Sequence, residues 1–229
     1  TSMRIGIDCR LWNETGVGRY IRNLVLNLAK IDKKNEYVLF ARSQDEQAIR
    51  SLVHGSPRLR SGQAQLTIVR ADVSWHGISE QVRFPRILKD ANVDLVHFPY
   101  FSVPIFYYRP FVVTIHDLIV NRFNTGRAST LPLPLYFTKR IGYRAVFSNA
   151  VFRAKKIIVP SNIVLDDLIN EYPNIDISKV EVTYEGGFES NLKLKTKNEK
   201  LVEGRYILRV GNFYPHKNVE GLLLAFKDF

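Results

Sequence analysis

The chain has 229 residues, enough for one domain or for one domain and part of another. With 45% hydrophobic and 24% charged residues it is not a disordered chain, and no apolar run approaches the roughly 18 residues of a spanning helix, so an integral helical membrane protein is excluded. Its 33 Lys+Arg against 22 Asp+Glu give a formal charge of +11, a field that favours nucleic acid, anionic lipid or phosphate-bearing small molecules. The lone cysteine, Cys9, allows no internal disulfide and suits a reducing, cytoplasmic setting, and no Cys/His cluster has zinc-ligand spacing, so no metal is expected.

The chain opens with a short apolar strand, Arg4 to Asp8. Thr15-Gly16-Val17-Gly18-Arg19-Tyr20 follows, and Val17, Tyr20, Ile21, Leu24, Leu28 and Ile31 then recur at helical spacing. Tyr37 to Ala41 is a second strand, with a polar helical stretch to about Val53 and a basic Pro/Gly-punctuated loop over 55–62. Leu66 to Val69 is a third strand, and Ser79 to Ala91 a helix kinked near Pro85. Asp94 to Phe98 and Phe111 to Ile115 are two further strands flanking an aromatic, Pro-rich loop, Pro99 to Pro110. Pro134 to Arg153 is a long helix and Lys156 to Val159 a strand. Ser161 reads as the N-cap of the next helix, and Val180 to Tyr184 as another strand.

Strands and helices alternate, and most strands are continuous apolar runs. That pattern predicts an α/β fold with a doubly wound, mostly parallel sheet covered on both faces and ligands at the carboxyl ends of its strands. After Gly186-Gly187 the composition turns polar, and 188–204 reads as a linker. Tyr206 to Val210 is then expected as a strand and Asn218 to Phe229 as a helix. One strand and one helix cannot build a core, so 205–229 is read as the start of a second, truncated α/β domain after a first domain over 1–187.

Four places carry chemistry. Gly16 and Gly18 stand between a strand and a helix N-terminus, where backbone N–H groups suit phosphate; a plain tight turn is the competing reading, since the third glycine of the dinucleotide fingerprint is replaced by Ile21. His116-Asp117 follows a strand directly: the imidazole could serve a sugar hydroxyl and the carboxylate could fix its tautomer, against a packed histidine and a turn-forming aspartate. His97 also ends a strand, but its aromatic, proline-bearing surroundings read as packing. Leu118 to Leu165 holds eight basic residues and no acidic one, interleaved with aromatics. Lys139, Arg140 and Arg144 in it suit an anionic membrane surface, the alternative being a core helix with a solvated cationic face. Lys217 sits where the last helix opens, placed to neutralise a diphosphate or simply to face water.

In their order, these pieces resemble the family-4 retaining glycosyltransferases of the GT-B fold, many of them bacterial mannosyltransferases that build surface polysaccharides. The matching runs are Ile5 to Arg10, Thr15 to Tyr20, Asp94 to His97, Thr114 to Leu118, Ile158 to Ser161, Val210 to Asn212 and Pro215 to Asn218. The resemblance implies two Rossmann-like domains across a cleft, the first holding a lipid-linked or saccharide acceptor and the second a nucleotide sugar, a GDP- or UDP-sugar. It places Gly16, Gly18 and Arg19 near the diphosphate and acceptor, His116 on the donor sugar with Asp117 beside it, and Asn212 and Lys217 on the diphosphate. Many members have Arg where this chain has Asn212. It further implies departure of the leaving group assisted by cations and helix N-termini without a metal or other cofactor, and no activity from the 229 residues alone; the lone cysteine and the acid-free basic stretch add the expectation of a cytoplasmic enzyme peripheral to the inner membrane face. A non-catalytic basic module binding membrane or nucleic acid is the alternative, although no nucleic-acid recognition signature is present.

Overall fold

The computed structural model describes residues 2–54, 65–119, 133–186, 206–211, 213 and 217–227. They divide into two units, one formed by Thr1–Leu118 with Phe137–Glu185 and the other by Ile119–Tyr136 with Gly186–Phe229.

In the first unit seven strands form one sheet: β1 (Arg4–Asp8), β2 (Glu36–Ala41), β3 (Gln65–Arg70), β4 (Leu95–Phe98), β5 (Phe111–Thr114), β6 (Lys156–Val159) and β7 (Val180–Val182). Every described pairing is parallel and the order is β3-β2-β1-β4-β5-β6-β7. Ile7 of β1 lies between Leu39 of β2 and His97 of β4. The winding reverses between β1 and β4, and in a doubly wound sheet that switch point opens a crevice at the carboxyl ends of the strands.

The helices are α1 (Gly16–Ile31), α2 (Glu46–His54), α3 (Ile78–Asp90), α4 (Leu133–Arg153), α5 (Asn162–Glu171) and α6 (Val219–Lys227). Alternate residues of each strand point to opposite faces. Leu39 and Ala41 therefore join Ile7 under Ile21 and Val25 of α1 and Ile49 of α2. Val38 and Phe40 join Val96, Phe98, Phe111 and Val113 under α3, α4 and α5, which contribute Phe84, Phe147 and Leu168. Both faces are buried, which is why the strands read as unbroken apolar runs; each such side chain contributes about 1.5–3 kcal/mol on leaving water. Ser161 caps α5 as expected, its Oγ accepting the Val164 N–H at 3.3 Å. Pro85 lies inside α3, where it removes one helical N–H.

Some expectations meet a different outcome. Tyr206 to Val210 is not a strand in the structure: Ile207, Leu208 and Val210 are 62%, 75% and 86% exposed, and among the described residues nothing pairs with them, as a strand requires. It belongs to the second unit, as does α6, which starts after Asn218 at φ 46°. The basic loop at 55–62 and the polar stretch at 189–203 lie outside the described residues. Among the described residues no helix is long and apolar enough to cross a membrane.

Candidate active site

A buried ion network begins where β1 ends. Arg10 is buried and grips two carboxylates: Nε and Nη2 donate to Asp8 at 2.9 and 2.7 Å, and Nη2 also reaches Glu80 Oε1 at 2.7 Å. The guanidinium lies 3.6 Å from the centre of the Phe84 ring. Burial works against its charge, but Asp8 and then Glu80 outweigh that and hold the Arg10 pKa above its ordinary value. Glu80 is itself fully buried, and its Oε2 accepts from the His76 backbone N–H at 2.8 Å and from Ser102 Oγ at 2.9 Å. This network ties the end of β1 and the first turn of α3 to the loops that follow β3 and β4.

A cleft of about 340 Å³ is lined by Gly16, Val17, His116, Asp117, Pro160 and Glu185. These residues come from the N-terminus of α1 and from the segments leaving β5, β6 and β7, all at the carboxyl edge of the sheet. Thr15, the N-cap of α1, makes no side-chain cap bond, and the first turn holds no acidic residue. The first N–H groups of α1 are therefore left for a guest with negative or acceptor oxygens.

His116 leaves β5 with both ring nitrogens engaged. Nε2 lies 3.0 Å from the Pro99 carbonyl, which can only accept, so that nitrogen carries a proton and the ring is oriented by the backbone. Nδ1 turns to Glu185 Oε1 at 3.0 Å. The Glu185 side chain is 52% exposed, so this second contact can open without unpacking anything. Tyr20 of α1 stands edge-on to His116, ring centres 4.9 Å apart, and its hydroxyl meets Thr114 Oγ1 at 3.1 Å. Thr114 Oγ1 in turn meets His97 Nε2 at 2.8 Å. Burial, with a smaller push from the His116 charge, lowers the His97 pKa to about 4, so a neutral imidazole supports the Tyr20–His116 pair from below. Burial also raises the Tyr20 hydroxyl, opposed by its Thr114 bond and reinforced by Glu185.

Of the residues singled out from sequence, Gly16, His116 and Asp117 meet at this cleft. Gly18 does not line it. It is buried, and a Cβ there would lie 2.5 Å from the Trp12 carbonyl oxygen and 2.7 Å from that of Leu11, so its bare backbone lets α1 pack on the loop after β1. At Gly16 a Cβ would meet nothing within 4 Å. Arg19 is exposed one turn into α1. Lys139 and Arg144 are exposed and Arg140 half-buried on α4, whereas Arg153 at the end of that helix is committed to the carbonyls of Ile105 and Tyr107 at 3.0 and 2.8 Å. Lys217 is exposed in the second unit, and Asn212 lies outside the described residues. Sequence reasoning missed Glu185, Pro99, Tyr20 and Thr114 as neighbours of His116. For Glu185 a signal existed, since it follows β7 at the sheet edge as His116 follows β5. The His97 packing reading holds as far as burial goes, but its bond to Thr114 was not legible.

The family model described as Glycosyltransferase Family 4 matches residues 15–186, from the N-terminus of α1 to just past Glu185. The chain belongs to glycosyltransferase family 4. The matched span contains every residue that lines the cleft. This family-4 chain is also 25% identical over 149 residues to the O-antigen chain mannosyltransferase RfbU of Salmonella typhimurium strain LT2. That match covers 65% of this chain and 37% of the relative, so the chain spans well under half of that protein's length. Among solved structures, a short-chain dehydrogenase from Oenococcus oeni PSU-1 overlaps 82% of this chain and 98% of its own, at 10% identity and a TM-score of 0.37. Among the described residues no three His, Cys, Asp or Glu side chains are grouped as metal ligands.

Proposed function

We propose that the parent enzyme is a retaining hexosyltransferase that moves a hexose such as mannose from a GDP- or UDP-sugar to a lipid-linked or saccharide acceptor, in surface polysaccharide synthesis. The observation that carries this reading is the juxtaposition, in one cleft, of the uncapped N-terminus of α1 and a backbone-oriented His116. The first invites the oxygens of a diphosphate, and the second offers an imidazole to a sugar hydroxyl. In the proposed reaction the bond from the anomeric carbon to the diphosphate oxygen breaks, its electron pair leaves with the phosphate, and the acceptor hydroxyl oxygen bonds to that carbon while its proton passes to the departing phosphate. A sugar hydroxyl that approaches His116 Nδ1 has to displace or share Glu185, which the exposure of that carboxylate allows. Asp117 lines the same cleft, and Arg19, Asn212 and Lys217 are proposed as further contacts of the donor phosphates.

The family membership and the mannosyltransferase relative support the sugar-transfer chemistry. We further propose that Lys139, Arg140 and Arg144 face an anionic membrane on its cytoplasmic side, an orientation supported by a helix that keeps Lys139 and Arg144 exposed while burying Phe147, Ala150 and Val151. The test is nucleotide release by the full-length protein across GDP- and UDP-sugars. Release stimulated by a saccharide or lipid-linked acceptor supports the proposal. Tight, salt-sensitive RNA binding with no response to any sugar nucleotide refutes it.

A further inference from the structure

Beside the cleft, the loop between β3 and α3 carries a histidine in an unusual backbone state. His76 has φ 58°, a left-handed conformation that a non-glycine residue holds only when its surroundings impose it, and such positions gather at ligand sites. The imposing contact is identifiable. The His76 backbone N–H donates to Glu80 Oε2 at 2.8 Å, and Glu80 is fully buried against Arg10 and Ser102. The buried ion network thus clamps the loop from below and leaves the imidazole exposed at the carboxyl edge of the sheet.

Around that imidazole the rings form a cluster. Trp75 lies 5.6 Å away at 32°, Phe101 5.5 Å away at 33°, and Tyr100 stands edge-on at 6.0 Å. Phe101 is buried and backs the cluster, while Trp75 and Tyr100 keep part of their surface in solvent. Among the described residues the His76 ring nitrogens have no hydrogen-bond partner. Tyr100 directly follows Pro99, whose carbonyl orients His116, and the charge of Asp117, which lines the cleft, acts on the Tyr100 hydroxyl, so the aromatic cluster lies near the His116–Asp117 end of the cleft.

We propose that Trp75, His76 and Tyr100 form a saccharide subsite that receives the acceptor next to His116, an inference that rests on the sugar-transfer reading. Flat rings offer the low-entropy apolar surface on which the C–H face of a pyranose lies, and a small number of convergent polar groups then select orientation. Here those groups are the unpartnered imidazole nitrogens and the Tyr100 hydroxyl, which burial, helped by the Asp117 charge, keeps protonated and able to donate. The rings sit outside the family's glycine-rich turn and His-Asp pair, so they can vary the acceptor without touching the donor end.

The test uses the full 229-residue chain and mannobiose as probe. The protein has two tryptophans, Trp12 buried and Trp75 partly exposed, so its proton–nitrogen NMR spectrum holds two indole signals that Trp75→Phe assigns. Mannobiose should move the Trp75 indole signal saturably, with a dissociation constant on the order of 1 mM, and leave that of Trp12 in place. His76→Gly keeps the left-handed backbone, so it removes the ring without a forced refolding of the loop, and should weaken binding about tenfold. A Trp75 signal that mannobiose does not move, or His76→Gly binding as tightly as wild type, overturns the subsite. Sugar-nucleotide turnover by the full-length protein is read separately: turnover with a silent Trp75 rejects this inference alone, and absent turnover with a responsive Trp75 rejects the transferase reading and keeps a saccharide-binding site.

Discussion

Gly16 and Gly18 lie two residues apart at the start of α1 and face opposite environments, so alanine at each should give opposite results. At Gly18 the new methyl would lie 2.5 Å from one backbone oxygen and 2.7 Å from another, where ordinary contact begins near 3.4 Å. Helix and loop would have to separate by roughly 0.9 Å, and the loop is poorly free to move because the Trp12 carbonyl also accepts from Arg22 Nη1. Overpacking costs about 1–3 kcal/mol, of which alanine's better helix propensity returns at most about 1 kcal/mol, so a net loss of about 1–2 kcal/mol is expected. At Gly16 the methyl meets open space, neither glycine has positive φ, and the stiffer unfolded chain should leave stability unchanged or raise it by up to about 1 kcal/mol. Urea unfolding followed by far-UV circular dichroism should therefore separate the two variants by roughly 2 kcal/mol, with Gly18→Ala the weaker. In the full-length protein Gly16→Ala should fold normally and lose turnover if, as proposed, the donor diphosphate sits at this helix N-terminus. Equal stability of the two variants, or Gly16→Ala as the less stable, would refute the assignment of Gly18 to packing and Gly16 to the cleft.

Other perturbations follow from the same geometry. Glu80→Ala strips a buried carboxylate from Arg10, His76 N–H and Ser102 at once and should cost about 3–5 kcal/mol in urea unfolding; a loss under about 1 kcal/mol would contradict the clamp. His97 titrates near 4 when folded and near 6.5 when unfolded, so the unfolded chain binds the extra proton between those values and stability must fall as pH drops from about 6.5 to about 4. That part of the fall, up to about 3 kcal/mol, should vanish in His97→Gln, and an unchanged pH profile would disprove the buried neutral state. Lys139→Glu/Arg140→Glu/Arg144→Glu should abolish preference for phosphatidylglycerol vesicles over neutral ones in co-sedimentation, since each basic residue contributes about 1 kcal/mol near an anionic surface; equal binding to both vesicle types by wild type would end the membrane proposal.

Much of the first unit was legible because burial on both faces leaves a one-dimensional trace: Tyr37 to Ala41 and Phe111 to Ile115 read as strands without any partner in view. The order β3-β2-β1-β4-β5-β6-β7 left no such trace, because register and crossover are set by long-range packing. Tyr206 to Val210 looked like a strand for the same apolar reason, but apolarity without a pairing neighbour does not make one. At the site, Gly16 and His116 could be placed because each abuts an element end. Gly18 could not be told from Gly16, since only the approach of Leu11 and Trp12 distinguishes them. Pro99 and Glu185 meet His116 from sequence separations of 17 and 69 residues, and no local pattern encodes that convergence.

The central claim is that His116 presents its ring to the transferred sugar. It is tested most directly by sugar-nucleotide turnover in full-length His116→Ala, with the fold checked by its urea midpoint. One good hydrogen bond made in the transition state is worth about 2–4 kcal/mol, so turnover should fall roughly 30- to 1000-fold while stability changes little. Wild-type turnover in that variant would contradict the claim and leave His116 a packed histidine held by the Pro99 carbonyl.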